Sequence, residues 1–252
     1  MASSSASIQI RTAPAGRGAD WIVDAFSLFK NAPKPWLAIS ALLLLAAYLA
    51  NRLGSVGYLF GNLLAPVITG GIILGCQAQQ RGEPFEIAYL WRGFSSPHFG
   101  RLLLIGLAWF GMTFIAVAVF LAVVGGTALG TVMATQSFES LQLGTTALYA
   151  GLLTLILLAI AAAAAWFAAP LIVLYGMEPI PALKASLLGC VKNPLSLLVN
   201  GILMVIILLI AIIPLGLGLL VAIPILFASQ YFAQRDIFVA DITPQSTESA
   251  QI

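Results

Sequence analysis

Two patterns alternate along the chain. Long apolar runs with almost no charge cover positions 36–53, 56–78, 102–135, 145–176, 195–213 and 215–234. A helix of about 20 mostly apolar residues is long enough to cross a bilayer. The runs therefore predict an all-α, polytopic membrane protein with six transmembrane helices in three hairpins. The first two runs are separated only by the short Arg52-Leu53-Gly54-Ser55 link, and the last two by the turn at Pro214. The third and fourth runs exceed one span, which predicts tilt, a kink or extension beyond the bilayer.

Shorter amphipathic segments precede each hairpin. Positions 20–31 read as a helix with Ile22, Phe26 and Phe29 on one face and Asp20, Asp24, Ser27 and Asn31 on the other. Asp20 is its expected N-cap. In the second segment Glu83-Pro84 opens a helix with Ile87, Leu90, Trp91 and Phe94 at helical spacing. In the third, Glu178-Pro179 leads to Leu183, Leu187 and Val191. Each segment ends at a proline break, and Lys30-Asn31 and Lys192-Asn193 stand before the first and third. The second helix of each hairpin carries a proline, at Pro66, Pro170 and Pro224, each a candidate kink because it frees a carbonyl one turn earlier. The chain divides into a disordered tail over 1–18, a membrane domain over 19–238 with units 19–82, 83–177 and 178–238, and a second disordered tail over 239–252.

Charge sets the orientation. Only 8% of the residues are charged and 61% are hydrophobic, and mean hydropathy is +1.04. No soluble domain of this size hides so much apolar surface. Arg11, Arg17, Lys30, Lys34, Arg81, Arg92, Arg101, Lys184, Lys192 and Arg235 fall on one side of the expected membrane, and Arg52 alone on the other. Basic residues accumulate on the cytoplasmic side. Both termini are expected there, with the loop at 136–143 and its Glu139 outside. A net charge of +2 excludes an electrostatic footprint for nucleic acid.

The same residues exclude much chemistry. No ionisable group lies inside a span, where proton relays and ion-coupled transporters place one. One histidine, His98, and two cysteines, Cys76 and Cys190, build neither a metal site nor a catalytic pair. The expectation is a non-enzymatic protein with no catalytic residue, no metal and no cofactor. Asn62 and Asn200 are each expected to bond the backbone of a neighbouring helix or an interfacial water. Gly57-x-x-x-Gly61, Gly71-x-x-x-Gly75 and Gly126-x-x-x-Gly130 are candidate sites of close helix approach. The expected partners are membrane lipids and other membrane proteins. Lys30, Lys34, Arg92, Arg101, Lys184 and Lys192, at headgroup level, are the candidate contacts for anionic lipid. A permease for a neutral or lipid-like solute, moving on its proline-kinked helices, is the alternative.

Several short motifs carry a resemblance. They are Trp21-Ile22-Val23-Asp24-Ala25-Phe26-Ser27-Leu28-Phe29, Leu64-Ala65-Pro66 through Gly75-Cys76, Arg81-Gly82-Glu83-Pro84, Ala182-Leu183-Lys184-Ala185-Ser186 and Arg235-Asp236-Ile237-Phe238. Their order resembles a family of uncharacterised bacterial six-span inner-membrane proteins, loosely similar to the membrane domain of some glycerophosphodiester phosphodiesterases. The resemblance implies a bacterial inner membrane and no assigned activity. The catalytic domain of the phosphodiesterases has no counterpart in these residues.

Overall fold

The computed structural model describes residues 8–135 and 143–240. Along the chain run β1 (Ile8–Ile10), α1 (Arg17–Asn31), α2 (Pro33–Arg52), α3 (Ser55–Gln80), α4 (Tyr89–Arg92), α5 (Phe99–Thr135), α6 (Leu143–Trp166), α7 (Ala168–Tyr175), α8 (Pro179–Lys192), α9 (Pro194–Ile212), α10 (Leu219–Ile237) and β2 (Phe238–Ala240). Five stretches are long and apolar enough to cross a membrane: α2, α3, 99–131 of α5, 145–175 across α6 and α7, and α9. This is the make-up of a helical membrane protein. The run expected as a sixth span, α10, is not among the five. Gln230, Gln234, Arg235 and Asp236 occupy its last turns, and most of the helix is buried inside the bundle.

Packing is uneven along the bundle. The largest fully buried side chains include Trp21, Trp36, Phe167 and Phe238, all from the end where the basic residues gather. Away from that end, α2, α5, α6 and α9 expose Leu, Ile and Val widely. Helices in hydrocarbon gain no hydrophobic free energy by hiding apolar side chains, so such surfaces can stay uncovered. The short helices follow one rule: α1 packs against α9 and α10, α4 against α3, and α8 against α6 and α7.

Glycines decide where backbones touch. A Cβ added at Gly93 would lie 1.9 Å from the Val67 carbonyl oxygen, and one at Gly71 would lie 2.4 Å from the Tyr89 carbonyl oxygen. At Gly75 a Cβ would strike the ring of Phe85. Gly71-x-x-x-Gly75 thus seats the 85–93 segment on α3. Gly126 and Gly130 face open space.

Several expectations need correction. The tail expected to be disordered over 1–18 is ordered from Ile8. β1 pairs antiparallel with β2, Ile8 opposite Ala240 and Ile10 opposite Phe238, so the tail expected from 239 also begins within a strand. Residues 1–7 and 241–252, and the loop holding Glu139, lie outside the described residues. α1 begins at Arg17 with Gly16 at the N-cap, and Asp20 sits in the first turn. Its buried face is Trp21, Ala25, Leu28 and Phe29, while Phe26 is 43% exposed. The second amphipathic helix shrinks to the four residues of α4, where Leu90 is buried but Trp91 is 61% exposed. In α8 the buried positions are Ala182, Ser186 and Gly189, one step off the expected Leu183 and Leu187 face.

Candidate functional site

The basic end is built around a carboxylate that the sequence does not single out. Asp236 Oδ2 accepts from Trp21 Nε1 at 2.8 Å and from Arg17 Nε at 2.8 Å and Nη2 at 2.5 Å. Trp21 is completely buried, so its indole N–H requires an acceptor inside the protein. Arg17 also reaches Asp20 at 3.3 Å and Asp24 at 3.9 Å. The hydrogen bond to the Asp236 carboxylate raises the Arg17 guanidinium above its ordinary value. One cation thus neutralises acids from both α1 and α10.

Asn193, buried at the break between α8 and α9, ties in the N-terminal strand. Its Oδ1 accepts from the Ala13 N–H at 2.6 Å, and its Nδ2 donates to the Arg11 and Gly189 carbonyls at 2.9 Å each. Asn31, its counterpart in the sequence, is exposed. Asn200 donates to the Gly18 carbonyl of α1 at 3.1 Å, bonding a neighbouring helix as expected. Asn62 instead donates to Tyr58 of its own helix at 2.8 Å.

The candidate lipid contacts separate into two kinds. Arg101 is committed within the protein: it meets Glu178 at 2.5 Å and donates to the Gly176 carbonyl at 2.7 Å. His98 lies beside it, 3.4 Å from Arg101 Nη1. Lys30, Lys34, Arg92, Lys184 and Lys192 are exposed and, among the described residues, form no ion pair. Lys30 lies over the Phe26 ring and Arg92 over the Tyr89 ring. Phe26, exposed on the outer face of α1, thus carries a cation. Glu83 and Glu86 are also exposed at this end.

The prolines act unequally. α3 and α10 continue through Pro66 and Pro224. Pro170 lies just beyond a break at Phe167 that separates α6 from α7. Lacking an N–H, Pro170 cannot bond the Trp166 carbonyl one turn back. Gln230 of α10 supplies that bond with its side-chain amide. Beside it Ser186 of α8 enters the helical ladder, donating to the Ala163 carbonyl at 2.7 Å and accepting from the Phe167 N–H at 2.9 Å. A side chain inserted in this way is a recognised cause of a sharp bend. Three elements therefore share the hydrogen bonds of one helix break.

A cavity of about 370 Å³ lies beside this break, lined by Asn62, Pro66, Trp109, Ala165, Trp166 and Gln230 among others. Its walls come from α3, α5, α6, α7 and α10, and no charged side chain reaches it. Among the described residues no group of three or more His, Cys, Asp or Glu could hold a metal ion. Cys190 donates weakly to the Ala163 carbonyl at 3.5 Å, and burial pushes its thiol up to about 12. Cys190 is therefore expected to resist iodoacetamide at neutral pH, because the thiolate is the nucleophile. Stability should fall as pH rises from 9.0 to about 12, where the unfolded thiol ionises and the folded one does not. Rapid alkylation of the folded protein at pH 7 would contradict this.

Sequence reasoning missed Asp236, Asn193, Ser186 and Gln230 as structural hubs. Signals existed: Asn193, Ser186 and Asp236 stand in motifs noted above without a role, and Gln230 is a polar amide at the end of a long apolar run. Compared with known proteins, the chain matches no family model, no curated protein and no solved structure.

Proposed function

We propose that this is a non-enzymatic, multi-pass protein of a bacterial inner membrane that organises anionic lipid through its basic end, which faces the cytoplasm. The observation that supports the reading is a set of exposed basic residues, Lys30, Lys34, Arg92, Lys184 and Lys192 among them, that form no ion pair among the described residues and stand on the short helices or at the start of α2. Each basic group near an anionic leaflet gains about 1 kcal/mol, so several together hold a shell of lipid without needing a shaped pocket. In this reading α10 serves as a sixth span that is shielded from lipid by its neighbours. The chain is then three hairpin units, each preceded by a helix at the interface. In favour of the repeat, each short helix leans on the second long helix of the preceding unit, with α1 closing the circle onto α10. The resemblance to six-span inner-membrane proteins agrees with this reading.

The test replaces Lys30, Lys34, Lys184 and Lys192 with Gln. Phosphatidylglycerol and cardiolipin retained after mild extraction are then measured, with reporter fusions at Gln142 and after Ile252 checking that orientation is kept. Retention of anionic lipid is expected to fall by about half, because Arg11, Arg81, Arg92 and Arg235 stay exposed at this end when the four lysines are lost. Unchanged retention in a correctly oriented variant would overturn the reading.

A second reading, a permease for a neutral or lipid-like solute, draws on the apolar cavity beside Pro66. Its sign would be solute flux into vesicles that depends on Pro66 and Pro224.

A further inference from the structure

The bundle is not sealed on one side. α6 runs along α5, α7 and α8 but makes no extended packing with α9 or α10 among the described residues. Two hollows line this seam. The larger is the cavity beside Pro66. The smaller, about 200 Å³, lies between α6, α8 and α9 and is bordered by Ala163, Cys190, Leu197 and Asn200. Ala162 and Trp166 border both, so the hollows adjoin along one face of α6.

The three amide side chains around this space each donate a hydrogen bond elsewhere in the protein. Gln230 donates to the Trp166 carbonyl, Asn200 to Gly18 and Asn62 to Tyr58. Apart from the Thr69 hydroxyl, what remains is alanine, proline, larger aliphatic and aromatic side chains, the indole rings of Trp109 and Trp166, and Cys190. Water needs two to four polar partners to settle in a cavity, and apolar cavities stay dry. An empty one forfeits dispersion contacts along its whole lining. Apart from α10, the walls of the larger hollow are helices long and apolar enough to cross a membrane. The medium at its open side is then hydrocarbon, and its size falls within the range of small-molecule sites.

We propose that the seam along α6 takes one acyl chain of a bilayer phospholipid, which enters between α6 and α9 and lies past Trp166 beside Pro66. This inference rests on the membrane-embedded, lipid-organising reading and adds a site inside the bundle that is held by the tail. The test is native mass spectrometry of the full chain released from detergent containing phosphatidylglycerol. The wild type is expected to keep one lipid at collision energies that strip the rest. Ala165→Phe, which fills the larger hollow, should cut that occupancy about ten-fold, while Ile202→Phe on the exposed side of α9 should not. If Ala165→Phe does not fold, Ala162→Leu carries the same test. The four-lysine variant should keep the tail-held lipid, so loss at the basic end and loss in the seam read out separately. A folded, filled variant that keeps the lipid, or a wild type that sheds all lipids together, would overturn the proposal.

Discussion

Gly93→Ala is expected to destabilise the protein by about 3 kcal/mol, at the upper end of what overpacking costs. The added methyl would sit 1.9 Å from the Val67 carbonyl oxygen, so α3 and the 85–93 segment must separate. The damage spreads, because Phe85 of that segment stacks on Trp36 of α2 with ring centroids 4.2 Å apart. Trp36 in turn donates to Gln79 of α3 at 3.1 Å. Gly126→Ala is the control. Nothing lies within 4 Å of a Cβ there, and alanine favours a helix over glycine by roughly 1 kcal/mol. Thermal unfolding in detergent should therefore rank Gly93→Ala far below the wild type and Gly126→Ala at or above it. Equal melting of the two variants would mean that the α3–α4 contact is looser than described.

Asp236→Ala is expected to cost about 2–3 kcal/mol. Trp21 would keep a buried N–H with no acceptor, and Arg17 would lose its nearest anion. The ion pair is partly open to solvent, which keeps the loss below that of a fully buried pair. Asp236→Asn should recover part of the loss, because a carbonyl oxygen can still accept from Trp21. Arg17→Gln should cost less than Asp236→Ala, since the indole bond survives. If Asp236→Ala unfolds at the wild-type temperature, the cluster contributes nothing and α1 is held by apolar contact alone.

These two sites mark what could and could not be read from the sequence. The five long apolar runs were legible because length and lack of charge are enough to specify them. The phase of α1 was not. Trp21, Ile22, Val23, Ala25, Phe26, Leu28 and Phe29 leave apolar groups on most of its circumference. The choice of Trp21 over Phe26 for the interior follows from Asp236, which lies 215 residues away from Trp21. The ordered N-terminal segment was hidden for the same reason. Three residues of strand carry almost no signal, and the partner strand stands at the opposite end of the chain. The α6–α7 break was half legible: Pro170 announced it, but Ser186 and Gln230, which complete its hydrogen bonds, come from two other helices. Gly71 and Gly75 were read as a site of close helix approach, and what they seat is the short 85–93 segment, where Gly93 offers bare backbone in return.

The pairing of first and last elements also bears on how the molecule is made. Ribosomes add about 5–20 residues per second. With 215 residues between them, Trp21 waits on the order of ten to forty seconds after its own synthesis before Asp236 exists. Through that interval α1 has neither α10 to cover its indole nor β2 to pair with β1. α1 is thus locked long after it is made, and a nascent chain released before residue 236 would present an uncovered tryptophan face for quality control to find.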